Sequence, residues 1–291
     1  MRDDFAVFIL THGRPDNQKT LNTLLSMGYN GKYYLVLDDQ DNTASEYYAN
    51  YPRDSIIIFN KDHYLKKVDS GMCKPVAKFA VFARNAIEDL ARDMGYKYFM
   101  MLDDDIYCFR IRYEVDGSLK SYKCDGIINE VFMHCLEYMD NAPIACLMPG
   151  VCNMYRSGVI AVQDWTSKYR ISVNCFIRNT DYKVEWRLNM FEDLITALDY
   201  NRTSQIWITF VPLQIDVGLG NGKVVGGNTD TYKTFDGFRM AFMPLMVYPD
   251  CNDVGFYKDH WKPITHTSIA VNNIISDRYK KKIQEGQKYE E

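Results

Sequence analysis

Residues 98–105 read YFMMLDDD, an apolar run that ends directly in three adjacent carboxylates. The run at 98–102 predicts a strand buried on both faces, because it is continuously apolar rather than alternating. Earlier in the chain, residues 5–10, 33–37 and 55–59 form similar short apolar runs. Helical patterns separate these runs, and this alternation of strand and helix is typical of a parallel sheet with helices on its faces.

The predicted helices of this region carry apolar residues at helical spacing. The first covers about residues 16–28 and is expected to bury Leu21, Leu24 and Leu25 on one face. Two more helices are predicted at residues 44–51 and 78–94.

The pattern is less regular after residue 105. A hairpin is predicted from residues 109–113 and 119–123, because Asp116-Gly117 is a favourable turn. The remaining predicted elements are helices at 127–139, from Glu192 and at 269–282, strands at 144–147, 159–162, 171–177 and 206–211, and a glycine-rich loop at 218–228.

The composition is that of an ordinary globular protein. Of the 291 residues, 47% are hydrophobic and 25% are charged, which excludes a disordered, collagen-like or coiled-coil chain. No apolar run approaches the ~20 residues that span a bilayer, and the N-terminus lacks the features of a signal peptide, so we expect a cytoplasmic, non-membrane protein. The eight cysteines form no C-x-x-C pair, so we expect reduced thiols and no structural zinc.

Polar residues follow three of the predicted strands at the point where each strand ends. Residues 11–14 read THGR, Asp38 and Asp39 close the second strand, and the acid triplet at 103–105 closes the fourth. Ligands of open parallel sheets bind beyond the carboxyl ends of the strands, so these clusters predict a functional site at one sheet edge.

The acid triplet Asp103, Asp104 and Asp105 predicts a metal site. Neighbouring carboxylates repel one another, and a hard cation such as Mg²⁺ or Mn²⁺ relieves that repulsion while binding substrate phosphates. A solvated acidic turn is the structural alternative. Three other phosphate- or metal-binding classes are disfavoured, because the first strand lacks a dehalogenase-type Asp pair and neither a P-loop nor an EF-hand pattern is present.

Four motifs in order resemble the nucleotide-sugar half of GT-A glycosyltransferases. They are the Gly13-Arg14-Pro15 turn, the Asp38-Asp39 strand end, Ala83-Arg84-Asn85 at a helix, and the Leu-Asp-Asp-Asp run at 102–105. Within that superfamily the turn and the acid run are most similar to the TET/JBP-associated glycosyltransferases, a phage and eukaryotic group thought to decorate hydroxymethylated pyrimidines in DNA.

The resemblance implies the fold class and the division of the chain. It implies an α/β protein with a GT-A-like, Rossmann-type mixed sheet whose central parallel strands are flanked by helices. Residues 1–291 would form a single domain, with about 1–110 binding the nucleotide-sugar and about 111–291 binding the acceptor. A phage-encoded member would act in the host cytoplasm.

The resemblance also implies roles for residues around the donor, a UDP-sugar. Thr11 and Arg14 would lie against the nucleoside and diphosphate, and Asp38 or Asp39 would hydrogen-bond the uracil-like base. Arg84 would approach the base or the phosphate, although a surface ion pair is the alternative. His12 is expected to pack within its loop or to lie beside a phosphate.

The acid triplet and a late histidine complete the implied donor site. Asp103 would contact the ribose or the metal, Asp104 would belong to the nucleotide site, and Asp105 would bind Mn²⁺ or Mg²⁺. His266 is the chosen histidine ligand, because GT-A folds often bring a late histidine to the metal. A purely structural histidine is the alternative.

Glu192 and Asp193 are the candidate catalytic residues. In inverting GT-A enzymes a Glu-Asp pair in this part of the chain supplies the general base, and the resemblance favours Asp193 over Glu192. Helix capping is the structural alternative, because carboxylates are stabilised in a first helical turn. An inverting glycosyltransferase is therefore expected.

Several functional alternatives stay open. The acceptor is a hydroxymethylated base in phage DNA, a glycan or a protein, and Arg110, Arg112, Lys120 and Lys123 among aromatics suit a nucleic acid. The net charge of −4 argues mildly against nucleic acid. A sugar-phosphate nucleotidyltransferase and a non-catalytic binding module are the other two classes.

Overall fold

The computed structural model describes residues 1–71, 79–116, 118–151, 166–167, 172–202, 205–218, 237–257 and 260–266. The predicted strand at 159–162, the predicted C-terminal helix at 269–282 and all but the first residue of the glycine-rich loop lie outside these ranges.

The first part of the chain alternates strands and helices as predicted. Its elements are β1 (Phe5–Leu10), α1 (Lys19–Ser26), β2 (Lys32–Asp38), α2 (Ala44–Asn50), β3 (Ile56–Phe59), α3 (Lys61–Lys67), α4 (Ala80–Asp93) and β4 (Tyr98–Asp103).

The second part begins with a hairpin and ends with another. Its described elements are β5 (Ile106–Val115), β6 (Ser118–Lys123), α5 (Ile128–Asp140), β7 (Ile144–Val151), β8 (Thr166–Ser167), β9 (Cys175–Asn179), α6 (Glu192–Asn201), β10 (Ile206–Val217), α7 (Gly237–Val247), β11 (Asn252–Tyr257) and β12 (His260–Thr265).

Ten of these strands form one mixed sheet in the order β3-β2-β1-β4-β9-β7-β10-β5-β6, with β8 paired to β10. The first four strands in this order run parallel, and β9 returns antiparallel against β4. In the register, Leu10 lies beside both Val36 and Asp103, so β1, β2 and β4 end at the same edge. The predicted α/β class with a central parallel sheet is confirmed.

The core lies on both faces of the sheet, which explains the continuous apolar runs. Along β1, Phe5, Val7 and Ile9 join one buried cluster, while Ala6 and Phe8 join the other. Successive side chains of a strand point to opposite faces, so a strand covered on both sides needs apolar residues at every position. The strand ends are thereby left as the place for polar chemistry.

Three features of the fold differ from the sequence prediction. Leu25 is 48% exposed, because α1 buries only Thr20, Leu21 and Leu24 against the sheet. The helix α3, KDHYLKK, was not predicted because it is short, polar and without apolar periodicity. The helix α7 and the hairpin β11–β12 were also not predicted. Pro244 lies inside α7, and a proline in a sequence argues against a helix at that position.

Two sequence expectations about chain class can be compared with the described residues. None of their helices has the length and apolar character needed to cross a bilayer. The six cysteines of the described part, which are 108, 124, 135, 146, 175 and 251, are all free and buried.

Candidate functional site

The ends of β1 and β4 are joined by polar contacts around Asp104. Arg14 Nη1 lies 2.5 Å from Asp104 Oδ1, and Thr11 Oγ1 donates a hydrogen bond of 2.9 Å to Asp104 Oδ2. Burial raises the pKa of the Asp104 carboxyl, and the Arg14 guanidinium opposes that rise. The Asp104 carboxylate is thus occupied by contacts inside the protein, where it joins the turn after β1 to the end of β4.

Two further side chains fix the same turn. Tyr47, on α2, accepts a hydrogen bond of 3.0 Å from the Arg14 backbone N–H, and its hydroxyl lies 3.0 Å from Thr11 Oγ1. The Gln18 amide donates to Thr11 Oγ1 and to the Arg14 carbonyl, both at 2.8 Å. Neither Tyr47 nor Gln18 was a predicted site residue, and no sequence signal distinguishes them from ordinary helix-face residues.

Arg84 joins the acid triplet to the predicted catalytic pair. It is 2% exposed, its Nη2 lies 3.1 Å from Asp103 Oδ1, and its Nε donates to Glu192 Oε1 at 3.1 Å. The guanidinium also lies against the rings of Phe176 and Trp186, 5.1 and 5.3 Å from their centroids. Arg84 is therefore a buried link between two carboxylate groups, and not the surface ion pair that was the alternative.

Asp105 differs from its two neighbours because its carboxylate is only partly satisfied. Its Oδ1 is buried and has no hydrogen-bond partner among the described residues. Burial, followed by the charges of Asp103 and Asp104, raises the Asp105 pKa to about 6. Burial also raises the pKa of Asp103, against the opposing charge of Arg84.

The Asp105 carboxylate fits a divalent cation that is bound mainly by phosphate oxygens of a substrate. Mg²⁺ typically takes one or two carboxylates together with phosphate oxygens and waters, rather than a cage of protein ligands. In the described part of the chain, no three His, Cys, Asp or Glu side chains cluster closely enough to hold a metal ion. The predicted set Asp103, Asp105 and His266 is therefore not assembled there, whereas Asp105 alone presents an unpartnered oxygen.

His266 lies in a different part of the fold. It follows β12 in the two-stranded sheet formed with β11, and its Nε2 is 2.8 Å from Asp253 Oδ2. Its backbone N–H donates to the Cys251 carbonyl. These contacts of His266 are thus with the hairpin and with the residue before it, and its role as a metal ligand stays a prediction.

The raised pKa of Asp193 is that of a candidate general base. It lies in the first turn of α6, next to Glu192, and its Oδ1 accepts a hydrogen bond of 2.7 Å from the Leu194 N–H. Burial, then the Glu192 charge, raises the Asp193 pKa to about 7, while Arg84 opposes the rise. A base with a pKa near the working pH is efficient in proton transfer.

The residue before α6 is strained. Phe191 has a φ of +57°, in the left-handed region that a bulky side chain rarely adopts. Such backbone persists only where its surroundings hold it, and it is concentrated at functional sites. The left-handed residue directly precedes Glu192 and Asp193, the first two residues of α6.

The ends of β2 and β3 form a second cluster beside β1. Asp38 is buried, its Oδ2 lies 2.8 Å from His12 Nδ1, and its Oδ1 lies 3.1 Å from Lys61 Nζ. Asp39 is exposed, and its Oδ1 accepts a hydrogen bond from the Lys61 backbone N–H. Lys61 was missed, although it is the second residue after β3 and the strand-end rule that selected Asp38 also applies there.

The four basic residues of the hairpin β5–β6 differ in their exposure and contacts. Arg110 pairs with Asp216 at 2.6 Å, and Arg112 is buried. The exposed surface of the hairpin includes a stacked pair of rings, Tyr113 on Tyr122, with centroids 4.7 Å apart. Lys120 and Lys123 are exposed, so the hairpin presents two lysines together with aromatic surface.

Solved structures similar to the chain include two with low sequence identity. The crystal structure of S. aureus TarS 1-349 is 13% identical, with a TM-score of 0.40, and the match covers 71% of this chain but only 60% of that one. The crystal structure of glucosyl-3-phosphoglycerate synthase from Mycobacterium tuberculosis, in complex with Mg²⁺ and uridine diphosphate, is 9% identical with a TM-score of 0.46. That match covers 90% of this chain and 86% of the synthase chain. No curated protein is significantly similar in sequence.

A family model covers most of the described sheet and all of the strand-end residues. The family described as TET-Associated Glycosyltransferase matches residues 5–218, which extend from the start of β1 to the residue after β10. The matched range contains the acid triplet, Arg84 and the Glu192–Asp193 pair. The resemblance to this family that was drawn from the motifs is confirmed. The chain belongs to the TET-associated glycosyltransferase family.

Proposed function

We propose that this glycosyltransferase is metal-dependent and inverting, and that it moves a sugar from a UDP-sugar to a hydroxyl group. The observation that carries the proposal is the placement of Arg84, which contacts both Asp103 and Glu192 through two nitrogens of one guanidinium. This contact brings the acid triplet next to a carboxylate, Asp193, whose pKa is raised to about 7. A donor-holding group and a candidate general base therefore lie together.

The donor would lie along the carboxyl edge of the parallel strands. In this proposal the chain acts as one domain, with about residues 1–110 binding the donor and about 111–291 binding the acceptor. Thr11 and Arg14 are held in place by Asp104, Tyr47 and Gln18, so the turn after β1 is preorganised for a ligand.

Asp105 would hold the cation, with Asp103 as the second candidate carboxylate. A bound Mg²⁺ or Mn²⁺ supplies charge neutralisation for the departing diphosphate. The protein contributes the fixed position of the Asp105 carboxylate, whose buried and unpartnered oxygen is aligned before any ligand arrives. A role for His266 as a further ligand stays a prediction.

Asp193 would act on the acceptor. Its carboxylate removes the proton from the acceptor hydroxyl as that oxygen attacks the anomeric carbon of the sugar. Attack from the face opposite the diphosphate inverts the configuration. Glu192 is engaged by Arg84, so it positions the start of α6 while Asp193 remains the base.

The acceptor in this proposal is a 5-hydroxymethylpyrimidine in DNA. The family description links these glycosyltransferases to TET. The exposed Tyr113–Tyr122 stack provides a surface on which bases can stack, an interaction that tolerates any base sequence. A glycan or protein acceptor has no comparable support among the described contacts.

The test is transfer to synthetic DNA. Duplexes that contain 5-hydroxymethylcytosine, 5-hydroxymethyluracil or unmodified cytosine are incubated with UDP-glucose, UDP-galactose or UDP-N-acetylglucosamine and Mn²⁺, and their nucleosides are analysed by mass spectrometry. We expect a hexose adduct only on a hydroxymethylated base, lost in Asp105→Asn and kept in the surface control His134→Ala. UDP release without any DNA adduct, on addition of a glycan or protein, would overturn the DNA acceptor.

A further inference from the structure

The ring of His12 is held at the edge of the sheet with one nitrogen bound and the other available. His12 follows Thr11 at the end of β1, and its side chain is 40% exposed. Nδ1 lies 2.8 Å from Asp38 Oδ2, whereas Nε2 has no hydrogen-bond partner among the residues described. The adjacent Gly13 has a φ of +66°, and a Cβ added there would meet no atom within 4 Å outside its two chain neighbours, so the backbone next to His12 is uncovered.

Asp38 is fully engaged in holding this ring. Its Oδ2 contacts His12, while its Oδ1 receives Lys61 Nζ and the Gln40 backbone N–H, each at 3.1 Å. Burial acts to raise the Asp38 pKa, but the His12 hydrogen bond and the Lys61 charge outweigh it and lower the pKa. Asp38 is therefore an ionised carboxylate whose two oxygens both have partners, and the predicted contact of Asp38 or Asp39 with the base stays a prediction.

The contact with Asp38 fixes the tautomer of His12. An ionised carboxylate only accepts hydrogen bonds, so the neutral ring must carry its proton on Nδ1. Nε2 is then a lone-pair acceptor. Asp41 also lies near the ring, with its Oδ2 3.8 Å from His12 Nδ1. This carboxylate likewise only accepts hydrogen bonds, one of them from the Gly13 N–H at 2.8 Å, so it does not change which ring nitrogen carries the proton.

We propose that His12 Nε2 is the group that selects the nucleobase of the donor, by accepting the imide N3–H of uracil. This inference rests on the proposed function, which places the diphosphate at the acid triplet. Because β1 lies between β2 and β4 in the sheet, a nucleotide anchored at β4 reaches His12 with its base. Asp38 and Lys61 are positioning residues that act through the ring.

The proposal predicts discrimination between uracil and cytosine. Uracil presents an N–H at position 3, which matches the Nε2 lone pair, whereas cytosine presents a lone pair at the same position, which opposes it. A neutral hydrogen bond of this kind changes affinity by about tenfold. UDP and CDP are the appropriate probes, because they share the ribose and the diphosphate.

Isothermal titration of UDP and CDP in the presence of Mn²⁺ tests the assignment. We expect the wild-type protein to bind UDP about tenfold more tightly than CDP. His12→Ala should weaken UDP binding to the level of CDP binding, without changing the affinity for CDP. The matched control is His134→Ala, whose histidine lies on α5 and contacts Glu137 at the surface.

Asp38→Asn provides a second, isosteric test. Lys61 Nζ and the Gln40 N–H are donors, so they hold the new amide oxygen and turn the amide NH₂ toward His12. His12 must then accept at Nδ1 and carry its proton on Nε2, which becomes a donor. We therefore expect Asp38→Asn to weaken the binding of UDP and to strengthen the binding of CDP, so that the nucleotide preference inverts.

The outcomes separate this inference from the proposed function. Failure of the wild type to bind either nucleotide would contradict the proposed donor class, and the inference would fall with it. Equal binding of UDP and CDP by the wild type, or a preference for UDP that survives both His12→Ala and Asp38→Asn, would overturn the role of His12 while leaving the proposed function intact.

Discussion

Arg84 Nε donates a hydrogen bond of 3.1 Å to Glu192 Oε1, a residue 108 positions further along the chain. The same guanidinium contacts Asp103 at the end of β4. Because Arg84 is buried, its charge is compensated by these carboxylates rather than by water. Arg84 therefore links the acid triplet to the first turn of α6.

Arg84→Ala should destabilise the fold and abolish transfer. Removal of one member of a buried ion pair leaves the others uncompensated, which costs about 3–5 kcal/mol. Arg84→Lys keeps the charge but cannot bridge both carboxylates with a planar fork, so we expect partial stability and little activity. Urea unfolding and initial rates provide the two measurements.

The matched control for Arg84 is Arg92→Ala on the same helix. Arg92 forms an ion pair of 3.6 Å with Asp89 near the surface, and such pairs contribute about 0–1 kcal/mol. An Arg84→Ala protein as stable and active as Arg92→Ala would refute the linking role.

Asp105→Asn should stabilise the metal-free protein at alkaline pH. The folded-state pKa of Asp105 is raised to about 6, above its usual value, so ionisation favours the unfolded state. The cost is absent below the unfolded pKa and grows as the pH rises toward the folded pKa. We expect Asp105→Asn to raise the melting temperature at pH 8 and to have little effect at pH 4, as measured by calorimetry with EDTA present. A lower melting temperature for the variant at pH 8 would contradict a strained carboxylate.

The pH dependence of kcat/KM should show the ionisation of Asp193. Its pKa is raised to about 7, and a general base works only when deprotonated, so kcat/KM should rise with pH and level off above about 7. Asp193→Asn should lower the rate by about 100-fold or more, whereas Asp193→Glu should retain part of it. A profile that is flat between pH 5.5 and 8 would exclude Asp193 as the base.

Tyr47→Phe should loosen the turn after β1. The Tyr47 hydroxyl accepts from the Arg14 N–H and contacts Thr11, and loss of a buried partner costs about 1–3 kcal/mol. We expect a higher KM for the donor and a lower stability, with kcat little changed. The adjacent Tyr48→Phe serves as the control, because Tyr48 is 40% exposed. Equal effects of the two substitutions would argue against a role of the Tyr47 hydroxyl in holding the turn after β1.

The sequence was sufficient to locate the strand-end residues but not their contacts. Asp103, Asp38 and Thr11 follow apolar runs, and parallel strands place such residues at one edge of the sheet. The Arg84–Glu192 contact was not predictable, because no pattern relates a mid-helix arginine to a helix that starts so far along the chain. Lys61 is the second residue after β3, so the same rule applies to it, but the surrounding polar helix obscured it.

The role of Asp38 shows where inference by resemblance ends. Its position at the end of β2 was predicted, yet its contacts with His12 and Lys61 depend on the rotamers of three side chains. Leu25 shows the same limit in the core, because helical spacing alone does not fix which edge of an apolar face meets the sheet. Periodicity determines elements and edges, whereas hydrogen-bond partners come from packing.

The most direct test of the central claim is titration of UDP into the wild-type protein with Mn²⁺, with EDTA, and into Asp105→Asn with Mn²⁺. The account predicts measurable binding only in the first of these three titrations, because Asp105 is the carboxylate whose buried oxygen lacks a partner among the described residues. Equal UDP affinity in all three would contradict a cation held at the acid triplet.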